Sequence, residues 1–222
     1  MPVVGNKYIG WTCAYASPPT DEDKKTSYRE IPQTVLKKWV QEGFKSHLDP
    51  GKPCPVRFCH ADSRYDIGQV TKAKMASDGS LLLQIEVDMN NPIGERVGNM
   101  MAATEDMSLQ EVESAEASSD SKSKRPPILG FSLGHRVWLN EDKLTGNEYK
   151  LEEYSVCDRG ARDNTVLLPA EMYELIEKMQ CLALKNLDMD QTPITQMPVA
   201  ASHHTILAAL SRAQNRGNNG RF

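Results

Sequence analysis

In the first half of the chain, apolar residues alternate with polar ones more often than they recur at helical spacing. Residues 3–15, VVGNKYIGWTCAY, are rich in branched and aromatic side chains and predict a strand. A charged, proline-containing stretch follows. In REIPQTVLKKWVQEGF, Ile31, Val35, Leu36, Trp39 and Val40 then fall on one helical face, with Pro32 in the first turn. HLDPGKPCP reads as turns and VRFCH as a strand. DIGQVTKAKMASDGSLLLQIEVDM, residues 66–89, predicts a β-hairpin about its Ser-Asp-Gly turn, and NPIGERVGNMMAA a short helix.

Residues 104–127 differ in kind: Ser, Glu and Asp dominate, no aromatic residue occurs, and Pro-Pro closes the run. Such a segment cannot bury enough apolar surface to order itself, so it predicts a solvated insertion. Two strand-like runs follow, ILGFSLGHRVWL and KLEEYSVC, separated by a turn region. Past Pro169, AEMYELIEKMQCLALKNL predicts an amphipathic helix over 170–187. The expected architecture is therefore α+β and strand-dominated, not an alternating βαβ sheet. Residues 1–190 are expected to form one domain, with 191–222 as a polar tail.

Composition narrows the class of function. A net charge of −4 gives no basic footprint for nucleic acid. No run of 18 apolar residues is present, so no membrane-spanning helix is expected. The start, MPVVGNKYIGW, lacks the basic-then-apolar layout of a secretion signal. Five scattered cysteines suggest reduced thiols and a cytosolic or nuclear setting. Cys54, Cys59 and His60 lie close together, but no second pair completes a zinc spacing.

Candidate chemistry centres on Gly130-Phe131-Ser132-Leu133-Gly134, which matches G-x-S-x-G. In an α/β-hydrolase that pattern sits between a strand and a helix, with its acid and histidine downstream in order. Here HRVWL continues as a strand, and the later histidines are His135, His203 and His204. A hydrolase elbow, and with it a small-ester esterase, fits poorly. A serine nucleophile still needs a base and the base an orienting partner. His60, at the end of the VRFCH strand, is the best-placed base. Alternation in KLEEYSVC is expected to put Leu151, Glu153, Ser155 and Cys157 on one face, with Glu152 pointing away. A glutamate on a face otherwise suited to a core is a candidate partner for His60, a structural ion pair being the plainer alternative.

Three separated segments together resemble the herpesvirus capsid-maturation proteases, the assemblin family: CHADSRYDIGQVTKAKMASDGSLLLQIEV over 59–87, GFSLGHRVW, and EEYSVCDRGARDNTVLL. The opening KYIGWTCAYASPPTDEDKKTSYREIPQTVLKKWV is similar to that family's first strand, loop and helix. The resemblance runs over roughly residues 5–180. It implies a single β-barrel surrounded by helices, and a serine endopeptidase that cuts capsid scaffold protein. By the same resemblance Ser132 falls on the nucleophile and His60 on the general base. Glu153 falls where the family has a second histidine, and tailed-phage prohead proteases are similar in placing a glutamate there. The Ala161 backbone N–H and the Arg162 side chain fall on the oxyanion-binding positions. Val-Ala-Ala-Ser, residues 199–202, resembles the family's release site, with cleavage between Ala201 and Ser202. The resemblance further implies a homodimer, no metal or organic cofactor, and a place in the host nucleus or cytoplasm within assembling procapsids. A tailed-phage-like prohead protease, and a non-catalytic scaffold module keeping the fold, are the alternatives.

Overall fold

The computed structural model of the chain describes residues 3–15, 31–105, 130–141, 146–157 and 165–178. Its elements are β1 (Val3–Val4), β2 (Lys7–Tyr15), α1 (Gln33–Gln41), β3 (Pro55–Phe58), β4 (Asp66–Met75), β5 (Leu81–Asp88), α2 (Pro92–Glu105), β6 (Gly130–Leu139) and β7 (Gly146–Cys157). The seven strands form one sheet in the order β1-β2-β5-β4-β3-β7-β6. Every neighbouring pair is antiparallel except β3 with β7.

Local chemistry explains the early elements. Pro32 precedes α1, where its missing N–H leaves no helix bond unmade, and its carbonyl accepts from Val35 and Leu36. The helix buries Leu36 and Trp39, each worth about 1.5–3 kcal/mol on transfer from water. The β4–β5 hairpin turns at Asp78-Gly79, where Gly79 takes a φ of 91° and the Asp78 carboxylate accepts the Ser80 N–H. The core gathers Tyr8, Leu83, Ile85, Val56, Phe131, Tyr154 and Val156 with residues from both helices. Phe131 stacks on Tyr154 with ring centroids 5.8 Å apart, and the Tyr154 hydroxyl meets Thr12 Oγ1 at 2.8 Å.

Two expectations change. The β6–β7 hairpin is longer than KLEEYSVC suggests: β7 begins at Gly146, because Val137–Leu139 supplies partners for a segment whose own composition reads as a turn. Nor does the sheet close into a barrel by continuous strand pairing, since β1 and β6 are its edges among the described residues. Instead residues 165–168 lie between the two sides. Cys13 N–H donates to the Val166 carbonyl, Leu168 N–H to that of Trp11, and Phe131 N–H to Thr165 Oγ1.

Residue contacts divide the chain after Ala170. Of the second unit, residues 171–178 are described; 173–178 are helical, with Glu174 and Lys178 paired at 2.8 Å. Most of the expected insertion and the tail from 179 onward lie outside the described residues.

Candidate active site

The registers of β3, β7 and β6 align three rows of side chains. Val56–Tyr154–Leu133 and Phe58–Val156–Phe131 are apolar and belong to the core or pack against it. Between them runs Arg57–Ser155–Ser132, on the opposite face by strand parity. Glu153 pairs with Gly134 as the next step along that polar strip. One face of three strands thus builds the core, and the other collects hydroxyls and a carboxylate.

His60 reaches this strip from the end of β3. The chain reverses over Phe58–Ala61, closed by Ala61 N–H to the Phe58 carbonyl at 3.2 Å. Cys59 and His60 have φ of 52° and 55°, the left-handed pair of a type I′ turn, which ordinarily favours Asn and Gly. Tertiary bonds hold that backbone in place: Cys59 N–H donates to the Val156 carbonyl at 2.9 Å, and His60 N–H to Ser155 Oγ at 3.0 Å. Strain of about 1 kcal/mol or more is stored where functional side chains are commonly aimed. Cys59→Asn, which tolerates this conformation better, is expected to stabilise the protein by about 1 kcal/mol in denaturant unfolding.

The His60 ring meets Glu153: Nδ1 lies 2.6 Å from Oε1. Glu153 is buried, with 6% of its side chain exposed against 44% for His60. The other carboxylate oxygen, Oε2, accepts the Ser155 hydroxyl at 2.5 Å. With Nδ1–H donating to a carboxylate, the tautomer leaves Nε2 as the free base. The hydrogen bond to Glu153 raises the His60 pKa above its ordinary value; burial opposes this and the charge of Glu153 adds to it. Two consequences carry a definite sign. If His60 acts as a base, activity requires its neutral form, so the acid limb of kcat/KM is expected above the ordinary histidine value of about 6.5. The pair's contribution to stability is fully present below that value and is lost as pH rises through the raised one, which thermal unfolding across pH reads directly.

The neighbouring glutamate is differently placed. Glu152 pairs with Arg136 at 2.7 Å, one quarter exposed. The expected alternation is corrected here. The β6–β7 register shifts between Gly134, opposite Glu153, and His135, opposite Leu151. Glu152 is the extra residue of a β-bulge, so the phase changes across it. Leu151 consequently joins Tyr154 and Val156 in the apolar cluster, not Glu153 and Ser155. The bulge is gripped from outside the sheet: Ser46 Oγ donates to the Glu152 carbonyl at 2.6 Å, and His47 N–H to that of Leu151 at 2.7 Å.

Ser132 is 6% exposed and directly opposite Ser155. Its hydroxyl makes no hydrogen bond to His60 among the described residues, and in unliganded sites such bonds are often long. Ala161, Arg162, Ala201 and Ser202 lie outside the described residues.

Three features escaped the sequence reading. Ser155 touches both His60 and Glu153. Arg57, between Val56 and Phe58, is committed to Asp66 through Nε at 2.5 Å. Gly134 clears the space filled by Glu153, since a Cβ there would coincide with its carboxylate. Of these, Gly134 had a signal in sequence, lying two residues past Ser132 and so on the same strand face. Cys54, close to His60 in sequence, is buried; burial chiefly, and the Glu153 charge after it, push its thiol pKa far up.

No family model matches the chain, and none of the curated proteins does. Among solved structures it is similar to a protease of Kaposi's sarcoma-associated herpesvirus in complex with a hexapeptide phosphonate inhibitor. Identity is 17%, with 93% of this chain and 87% of that one covered, at a TM-score of 0.43. It is also similar to varicella-zoster virus protease, at 14% identity over 97% of this chain and 90% of that one, with a TM-score of 0.38. At identities and TM-scores this low, nothing about the chemistry of this chain follows from either likeness.

Proposed function

We propose that this chain is a serine endopeptidase in which Ser132 is the nucleophile, His60 the general base and Glu153 its orienting partner. The observation that carries the reading is the 2.6 Å contact between His60 Nδ1 and Glu153 Oε1, made on the polar strip that also bears Ser132. Ser155 is not the nucleophile: it is fully buried and its proton is committed to Glu153.

In this mechanism Ser132 Oγ bonds to the scissile carbonyl carbon while its proton passes to His60 Nε2. The carbonyl electrons move onto oxygen, to which the Ala161 N–H would donate a hydrogen bond directly and Arg162 through water. Collapse breaks the C–N bond, and His60 returns the proton to the departing amine. Water, deprotonated by His60, then releases the acyl group and restores Ser132. Glu153 stabilises the imidazolium formed at each transfer. Scaffold protein as the substrate, a homodimeric enzyme, release by cleavage between Ala201 and Ser202, and action inside assembling capsids form part of the proposal. Their support is the resemblance of the quoted segments to assemblins, with a phage-type prohead protease as the variant that shares the glutamate.

A fluorophosphonate probe is expected to label wild type stoichiometrically and to leave Ser132→Ala unlabelled at equal folding. Labelling of both, or of neither under conditions where the wild type is folded, would sink the assignment. The second result favours the non-catalytic module.

A further inference from the structure

The His60–Glu153 pair has a third participant that neither the nucleophile nor the base requires. Ser155 Oγ accepts the His60 backbone N–H at 3.0 Å and donates its own proton to Glu153 Oε2 at 2.5 Å. One hydroxyl therefore touches both halves of the pair, through the main chain of one residue and the carboxylate of the other. It is completely buried, whereas the His60 ring is nearly half exposed.

Each bond constrains a different freedom. The His60 backbone sits at a φ of 55°, directly after Cys59 at 52°, and without tertiary bonds such a turn relaxes toward ordinary φ values and swings its side chain away. The bond to Ser155 is one of two main-chain N–H anchors at Cys59 and His60, the other being Cys59 N–H to the Val156 carbonyl. Both anchors are set on β7, so the register of β3 against β7 fixes where the ring emerges. The second bond fixes the carboxylate. A glutamate has a soft terminal torsion, and a hydroxyl held on one oxygen leaves the other aimed at Nδ1. Other charges near the strip are accounted for: Arg57 is committed to Asp66 and Arg136 to Glu152. No cation competes with Ser155 for Oε2 among the described residues.

We propose that Ser155 is a positioning residue that clamps the left-handed His60 turn and the Glu153 carboxylate together, so that their contact exists before any substrate arrives. The proposal rests on the reading of His60 and Glu153 as base and orienting partner. It concerns the resting protein, however, and its test needs no turnover.

The test is an NMR titration of the His60 ring, assigned by its loss in His60→Asn. It is made on wild type, Ser155→Ala and Ser155→Cys under reducing conditions. Alanine removes the hydroxyl; cysteine keeps the side-chain volume with only a weak donor and acceptor. In wild type the titration midpoint is expected above the ordinary histidine value, with a downfield Nδ1 proton resonance. In both variants the midpoint is expected to fall toward the ordinary value and the downfield resonance to broaden or vanish, while kcat of any peptidase activity falls about tenfold and KM changes little. Should cysteine behave like wild type, the hydroxyl acts only by filling space and the proposal is overturned. A midpoint that stays or rises in a folded variant overturns it as well. If alanine prevents folding, the cysteine variant decides alone. A failure here leaves fluorophosphonate labelling of Ser132 untouched, and an unlabelled Ser132 leaves the titration result standing, so the two readings fail separately.

Discussion

Glu153→Gln is expected to lower kcat by about 10³–10⁴-fold, the scale seen when the acid of a serine-histidine pair becomes an amide. Two effects combine. The amide carries no charge, so the imidazolium formed at each proton transfer loses its counter-ion. An amide can also present its NH2 group to Nδ1, which moves the ring proton to Nε2 and disables the base. Because Glu153 is what raises the His60 pKa, the acid limb of kcat/KM should shift to lower pH in the same variant. The residual rate should therefore carry a displaced pH profile. Glu152→Gln is the control. Its carboxylate is partly exposed and paired with Arg136, and loss of such a pair is worth about 0–1 kcal/mol in stability with kcat near that of wild type. If Glu152→Gln proved the damaging change, the bulge at Glu152 would be misplaced and the assignment of Glu153 would fall with it.

Gly134→Ala is expected to lower activity far more than stability. The added methyl would occupy the position of the Glu153 carboxylate, and its three nearest atoms all belong to that side chain. The strand need not move, but the carboxylate must, and its bonds to His60 and Ser155 cannot both survive the displacement. A shift of about 1 Å at such a group costs on the order of 10² in rate, so kcat should fall at least that far. The melting temperature should fall by no more than the broken bonds of the buried carboxylate contribute, since alanine itself suits a strand interior no worse than glycine. Equal activity in this variant would show that the carboxylate has another place to sit and that its contact with His60 is not required.

Gly134 and Glu153 also show what could and could not be read along the chain. The hairpin of residues 66–89 was legible because its Ser-Asp-Gly turn and alternating flanks are local signals, and β4 and β5 form where the pattern puts them. The helix after Pro32 was legible for the same reason. The strand about Ser132 also follows the pattern, and strand parity places Gly134 beside the serine. Local composition failed at Gly146–Glu148, which reads as a turn yet pairs with β6, because pairing energy comes from the partner strand.

By itself, the sequence determined which segments alternate and which carry a helical stripe, and it offered a serine, a histidine and a glutamate on three separate segments. These are properties of residues within a few positions of one another, where period and turn chemistry act. Tertiary structure alone decided that the glutamate meets the histidine. The parallel register of β3 on β7 lies between segments about 100 residues apart, and no local periodicity encodes it. The bulge at Glu152 reverses the phase of β7, so that Leu151 enters the core while Glu153 and Ser155 face the strip. The left-handed turn at Cys59-His60 runs against the preferences of its own residues and persists only because β7 supplies acceptors for both N–H groups. A bond whose two ends are distant in sequence can override local preference, and that is why the site became visible only in the folded chain.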